Sequence, residues 1–177
     1  MKIAETKRLI IREFEREDFQ ELAPILAHPQ VMKFSSAGVL SISATQAKIQ
    51  NFIKSYEIYG FGKWAVIFKD NNQLIGYCGI AIETIDNQDE PEIGYRLAPQ
   101  FWGQGLATEA ASAAINYAFE QYSLPDILGI VERENTASVR VLEKLGMHYQ
   151  RKTLFLGIEM DIYCLDNPKK FKSFIGL

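Results

Sequence analysis

The spacing of hydrophobic and polar residues marks the elements of this chain one after another. In "KRLIIREF" (7–14), Leu9 and Ile11 alternate with Arg8, Ile10 and Arg12, which predicts a first strand. Asp18 stands where it can cap a helix running to about Leu26, with Phe19, Leu22, Ala23 and Leu26 on one face. Pro24 inside that run predicts a kink or an early stop. Ile49, Phe52, Ile53 and Tyr56 recur at i, i+3, i+4 and i+7, a second helix over 45–56 that "YGFG" (59–62) ends. Two apolar runs in "KWAVIFKDNNQLIGYCGIAIE" (63–83) flank "DNNQ" and predict an antiparallel hairpin, while "TIDNQDEP" (84–91) reads as a polar loop. "EIGYRL" (92–97) is the next strand. After it, Leu106, Ala107, Ala110, Ala111, Ala114, Ile115 and Ala118 keep helical spacing to about Glu120.

The later elements follow the same logic. "ILGIV" (127–131) is a short buried strand, and "NTASVRVLEKLG" (135–146) a compact helix with Asn135 as its cap and Gly146 as its stop. "MHYQRKTLF" and "IEMDIYCL" bracket Gly157 as a closing hairpin, and the polar, basic end is expected to be partly disordered. The order β-α-α-β-β-β-α-β-α-β-β predicts one α/β (α+β) domain over 1–166, a single mixed sheet with helices on both faces, followed by a tail at 167–177.

Composition narrows the function. The 177 residues suit one domain, able to bury roughly 70% of its extended surface. Apolar residues make up 47% and charged residues 23%, with a net charge of −3, so nothing favours nucleic acid as a partner. No apolar run approaches the ~20 residues that span a bilayer, and "MKIAETKRL" lacks a signal-peptide core, so a cytoplasmic protein without membrane attachment is expected. Cys78 and Cys164 fall inside strands and read as buried, reduced thiols, and neither His28 nor His148 has a partner at metal-ligand spacing.

The chemistry concentrates at "APQFWGQGLATEA" (98–110), where a strand turns into a helix through Gly103 and Gly105. A nucleotide-hydrolase phosphate loop needs Lys and then Ser or Thr after its last glycine, but Leu106 and Ala107 follow Gly105. A dinucleotide fingerprint needs a third glycine where Thr108 stands, although Glu132 does follow the next strand. That leaves the dinucleotide reading open but poorly matched, and two others fit better. The glycines either shape a tight turn, or they clear a path for pyrophosphate onto the N–H groups and positive dipole of the helix start.

Q-x-x-G-x-G at Gln100, Gly103 and Gly105, continuing as "LATEA", resembles the coenzyme A loop of the GNAT superfamily of N-acetyltransferases. "TKRLIIREFEREDFQEL", "EIGYRLAPQFWGQGLATEA" and "ERENTASVRVLEKLGM" resemble, in order and spacing, segments of its RimJ/RimL-type branch, which includes ribosomal-protein N-terminal acetyltransferases. The likeness runs from about Thr6 to Leu165 and selects the pyrophosphate reading.

The resemblance implies a mostly antiparallel sheet with a splayed strand pair, "EIGYRL" and "ILGIV", that holds acetyl-CoA (coenzyme A). The cofactor-binding residues it implies are Tyr95, Arg96, Leu97, Gln100, Trp102, Gly103, Gln104, Gly105, Leu106, Ala107, Thr108, Asn135 and Ser138. Backbone N–H groups near Tyr95 to Leu97 are expected to hold the pantetheine amides and polarise the thioester carbonyl, and Gly94 to supply a bulge that permits the splay. Ser138 matches the acid near the sulfur, against a plainer role at a helix start. No carboxylate occupies the late position of the base used by some members: Gly157 stands there, with Glu159 and Asp161 out of register and Tyr163 as a further polar candidate. Glu92 is the expected general base, acting through water, unless it is only an exposed acid at a strand start. The acidic run Asp86, Asp89 and Glu90 could draw a cationic amine.

The expected activity is acetyl transfer to a primary amine, either a ribosomal-protein N-terminus or a small cationic amine, by a monomer or homodimer. The alternative is a non-catalytic acyl-CoA-binding or regulatory protein of the same fold.

Overall fold

The computed structural model describes residues 1–169, so most of the tail expected at 167–177 lies outside the described residues. Asn167 is inside them, buried, and tied to the domain: its backbone N–H donates to the Pro125 carbonyl and its side-chain amide to that of Leu124.

The chain forms β1 (Lys2–Glu5), β2 (Leu9–Arg12), α1 (Phe19–Leu26), α2 (Ile42–Tyr59), β3 (Lys63–Phe68), β4 (Gln73–Ile85), β5 (Gln88–Leu97), α3 (Leu106–Tyr122), β6 (Asp126–Val131), α4 (Thr136–Lys144), β7 (His148–Phe155) and β8 (Ile158–Asp166). The strands make one eight-stranded sheet in the order β1-β2-β3-β4-β5-β6-β8-β7. Every neighbouring pair is antiparallel except β5 and β6, which α3 connects as a parallel crossover. Helices cover both faces, and two adjacent residues on β4 show it. Tyr77 meets Phe52 of α2 at 5.3 Å between ring centroids, whereas Trp64, paired with Cys78, meets Tyr117 of α3 edge-on at 5.6 Å. Successive strand side chains point to opposite faces, so α2 and α3 lie on opposite sides. Trp64, Ile75, Cys78, Ile80, Ala111 and Ala114 fill the core where α3 crosses the sheet.

Four expectations change. A strand precedes the first one: β1 pairs along β2, and its four residues are too few to show a period in the sequence. Asp18 does not cap α1 with its side chain. Its carboxylate accepts two 2.7 Å bonds from Arg12 and one from the Glu15 N–H, closing the turn before the helix. The second helix starts earlier, at Ile42, because the Ser41 hydroxyl accepts from the Ala44 N–H and caps it there. Residues 84–91 are no loop. β4 and β5 pair as far as Ile85 and Gln88, turning on Asp86 and Asn87 alone, with φ of 52° and 65°. Two consecutive left-handed residues give the tight hairpin turn whose twist matches that of the strands. Pro24, by contrast, lies within α1 without ending it.

Candidate functional site

The junction between β5 and α3 is built by its glycines. Gly103 and Gly105 have φ of 73° and 76°, a region costly to residues with a side chain. A Cβ on Gly103 would meet nothing within 4 Å, and one on Gly105 only the Arg8 guanidinium at 3.7 Å. Internal packing therefore does not demand glycine; the backbone angles do, and the space in front stays open. Gly105 is also the N-cap of α3 and offers no side chain to the first N–H groups of the helix. Those uncapped donors and the helix dipole make an anion site. Leu106 is 1% exposed, so its side chain belongs to the core and only its N–H faces the loop, beside Ala107 and Thr108. Gln104 folds back to donate to the Gln100 carbonyl at 2.9 Å, and the Trp102 indole donates to the Leu97 carbonyl at 2.7 Å. Arg8, which the sequence did not single out, braces the loop by donating to the Gln104 carbonyl at 2.8 Å.

Beside the loop the sheet opens. β5 and β6 are paired at Glu92 and Leu128 alone and then diverge. The Ala98 N–H donates to Ile75 of β4 at 2.8 Å. Backbone groups alternate sides along a strand, so Arg96 also faces β4, while Tyr95 and Leu97 turn their N–H groups into the opening. Two of the three backbone groups expected to hold the cofactor thus face it, and Arg96 does not. Across the opening, the half-buried Tyr95 hydroxyl donates to the Ser138 carbonyl at 3.2 Å and links β5 to α4. Asn135 caps α4 by accepting from the Ser138 N–H at 3.3 Å, which leaves the Ser138 hydroxyl outside the cap. Both residues line a cavity of about 370 Å3 that runs from this opening to the α1–α2 loop. Left-handed glycines, an uncapped helix start and outward N–H groups along a split sheet fit a phosphate-bearing cofactor with an extended amide arm.

Charged groups line the far wall. Lys63 and Glu92 form a buried pair at 2.7 Å, with side chains 9% and 13% exposed. The lysine also donates to the carbonyls of Gly79 and Glu92. Glycine makes its path: Lys63, Gly79 and Gly94 lie in register across β3, β4 and β5, and a Cβ on Gly94 would come within 2.5 Å of the Lys63 Nζ. Gly94 is therefore not the expected bulge. β5 keeps an unbroken register with β4 through it, and the residue is glycine so that the lysine can pass. Glu83, on the same face of the sheet, has no cation at ion-pair distance among the described residues; burial and then the charge of Glu92 hold its carboxyl above the usual range.

The remaining candidates are occupied elsewhere. Asp86 accepts from Arg151 and Thr153, and Asp89 from the Thr84 hydroxyl, so the acidic run at 86–90 is largely internally paired. Glu159 pairs with Lys152, Asp161 with Arg133, and Tyr163 packs edge-on against Tyr149. Among the described residues no group of three or more His, Cys, Asp and Glu could hold a metal ion, and no helix is long and apolar enough to cross a membrane. Lys63 and Glu83 were missed because a single charge in an apolar strand has no period. The glycines facing Lys63 were the available sign.

A family model described as an acetyltransferase (GNAT) domain matches residues 8–148. The chain is 34% identical over 147 residues to YkkB of Bacillus subtilis (strain 168), covering 82% of this chain and 85% of that protein. It is 34% identical over 142 residues to the uncharacterized N-acetyltransferase YnaD of the same strain, covering 80% of each. Among solved structures, a GNAT-family acetyltransferase from Bacillus anthracis matches with a TM-score of 0.78 at 26% identity, over 92% of this chain and 97% of the other. A RimL ribosomal L7/L12 acetyltransferase in complex with coenzyme A shares the fold with a TM-score of 0.78 at 18% identity, over 94% and 98%.

Proposed function

The chain belongs to the acetyltransferase (GNAT) domain family, and from that premise we propose that it moves the acetyl group of acetyl-CoA to a primary amine by direct attack. The observation that carries this reading is the parting of β5 from β6 directly before two left-handed glycines at the uncapped start of α3. Acetyl-CoA supplies the thioester. The α3 N–H groups and the loop from Gln100 to Gly105 hold pyrophosphate, and the Tyr95 and Leu97 N–H groups hold the amide arm and donate to the thioester carbonyl.

The rest is proton handling. The amine nitrogen must shed a proton as it bonds to the acetyl carbon and the carbon–sulfur bond breaks. Lys63 already engages the Glu92 carboxylate as an ion pair at 2.7 Å. Glu83 accepts the proton directly or through a water, with burial and then the charge of Glu92 raising its basicity. The Ser138 hydroxyl gives a proton to the leaving thiolate. A ribosomal-protein N-terminus and a small amine both satisfy this scheme.

Calorimetry with acetyl-CoA, together with thiol release across a panel of amines, tests it. Binding with turnover is the expected result. Binding without turnover on any amine points to a non-catalytic acyl-CoA-binding protein, and absence of binding removes the assignment.

A further inference from the structure

Two cations in the cavity have no ion-pair partner among the described residues, although Glu83 attracts Lys48 from beyond that distance. The Arg96 guanidinium donates to the Tyr77 hydroxyl at 2.9 Å and to the Val31 carbonyl at 3.0 Å, both neutral acceptors. The Lys48 ammonium lies 5.3 Å over the Phe52 ring. Among the described residues no carboxylate comes within 4 Å of either. Glu92 of the same wall is taken by Lys63, and Glu83 and Glu132 pair with neither cation.

The two cations are joined through aromatic rings. Phe52 under Lys48 packs at 5.3 Å on Tyr77, whose hydroxyl receives the Arg96 bond. Burial, followed by the charges of Arg96 and Lys63, pulls the Lys48 ammonium below its ordinary value against a smaller opposing pull from Glu83, so the protein holds this arrangement at a cost. Half-buried like charges with no anion at ion-pair distance are destabilising unless a ligand completes them.

We propose that the acceptor carries a carboxylate beside its amine, as a free amino acid does, and that Arg96 and Lys48 grip that carboxylate. The inference rests on the acetyl-transfer reading above and narrows its substrate. Arg96 and Glu92 share one face of β5, four residues apart, so their Cα atoms are separated by roughly 13 Å. With the carboxylate at the Arg96 end, an α-amine sits one carbon away from it, and a water carries its proton toward Glu83 and Glu92. The cavity, about 370 Å3, lies at the small end of ligand sites, and the end of the thioester arm must share it. A small molecule fits that space better than a folded partner. Polyamines are disfavoured, because their second ammonium would face the cations.

The test compares free amino acids with their amides, with the decarboxylated amines and with short N-terminal peptides, read by thiol release on the intact protein. The free amino acid is expected to lead its amide by roughly 100-fold in kcat/KM. Lys48→Gln should remove that lead while leaving kcat/KM for the amide near the wild-type value, and Arg96→Gln should also remove the lead. Arg96→Gln also loses bonds to Tyr77 and Val31, so Lys48→Gln decides if Arg96→Gln fails to fold. Acetyl-CoA binding is measured alongside. Intact binding with amides, polyamines or peptides preferred overturns the carboxylate inference alone, as does an unchanged lead in Lys48→Gln, whereas lost binding overturns the acetyl-transfer reading beneath it.

Discussion

Arg8 and Glu109, 101 residues apart in sequence, meet at 2.6 Å and lock the turn between β1 and β2 to the first turn of α3. Glu109 also accepts from the Arg8 N–H and the Thr6 hydroxyl, while Arg8 reaches on to the Gln104 carbonyl in the glycine loop. Burial by itself would raise the Glu109 carboxyl; the bonds from Thr6 and Arg8 outweigh it and leave the pKa lowered. The folded value lies below the unfolded one. The pair therefore stabilises fully above the ordinary carboxylate value and loses that contribution as pH falls through the folded value. Arg8 is 37% exposed, so Arg8→Ala should cost only about 1–2 kcal/mol at pH 7. The gap to wild type should narrow on acidification. Urea melts at pH 7 and pH 3 check this, and a gap that does not depend on pH would contradict it.

Gly105→Val should fold but lose acetyl-CoA. The strain of a side chain at φ 76° is about 1–2 kcal/mol, and the new Cβ meets only Arg8 at 3.7 Å. Gly105→Asn separates angle from space, since asparagine tolerates the left-handed region yet still occupies the approach. Calorimetry should show both variants impaired. Normal binding by the asparagine variant would mean that the glycine serves only the turn.

Lys63→Met should destabilise by about 3–5 kcal/mol, because it leaves the Glu92 carboxylate buried without its cation. Replacing both, Lys63→Met with Glu92→Leu, should recover much of that loss. Denaturant unfolding of the two single variants and the double variant measures the coupling; additive losses would mean that the pair is incidental.

Glu83→Gln should reduce kcat by roughly 100-fold and remove the acidic limb of the pH–rate profile. In the wild type that limb lies above the ordinary carboxylate range, because burial and Glu92 keep Glu83 protonated to higher pH. Glu92→Gln removes the neighbouring negative charge and leaves Lys63 unpaired, and both changes shift the limb to lower pH. A limb that vanishes in Glu92→Gln and persists in Glu83→Gln would return the base to Glu92.

Ser138→Ala should lower kcat by roughly 100-fold or more with little change in acetyl-CoA affinity. The α4 cap uses the Ser138 N–H and the Asn135 side chain, neither of which the substitution removes. Single-turnover kinetics and calorimetry read the two effects separately. A near-normal kcat would leave Ser138 as a helix-start residue.

Local features of the chain determined much of this protein. Periodicity located α3, α4 and the strands around them, because an amphipathic pattern repeats within a short window. Gly103 and Gly105 announced a left-handed strand-to-helix junction, because the angles that glycine permits are a property of the residue itself. The turn at Asp86 and Asn87 was misread as a loop because polar residues on a long hairpin look like one until their pairing is known. The tertiary structure alone decided the charges. Lys63 reaches Glu92 past Gly94 on another strand, Glu83 is raised by burial and then by a neighbour on another strand, and Arg96 turns its backbone from the opening while its guanidinium enters the cavity. Ion pairing and desolvation depend on which atoms lie within a few ångströms, and sheet register brings those atoms together from positions that share no local pattern.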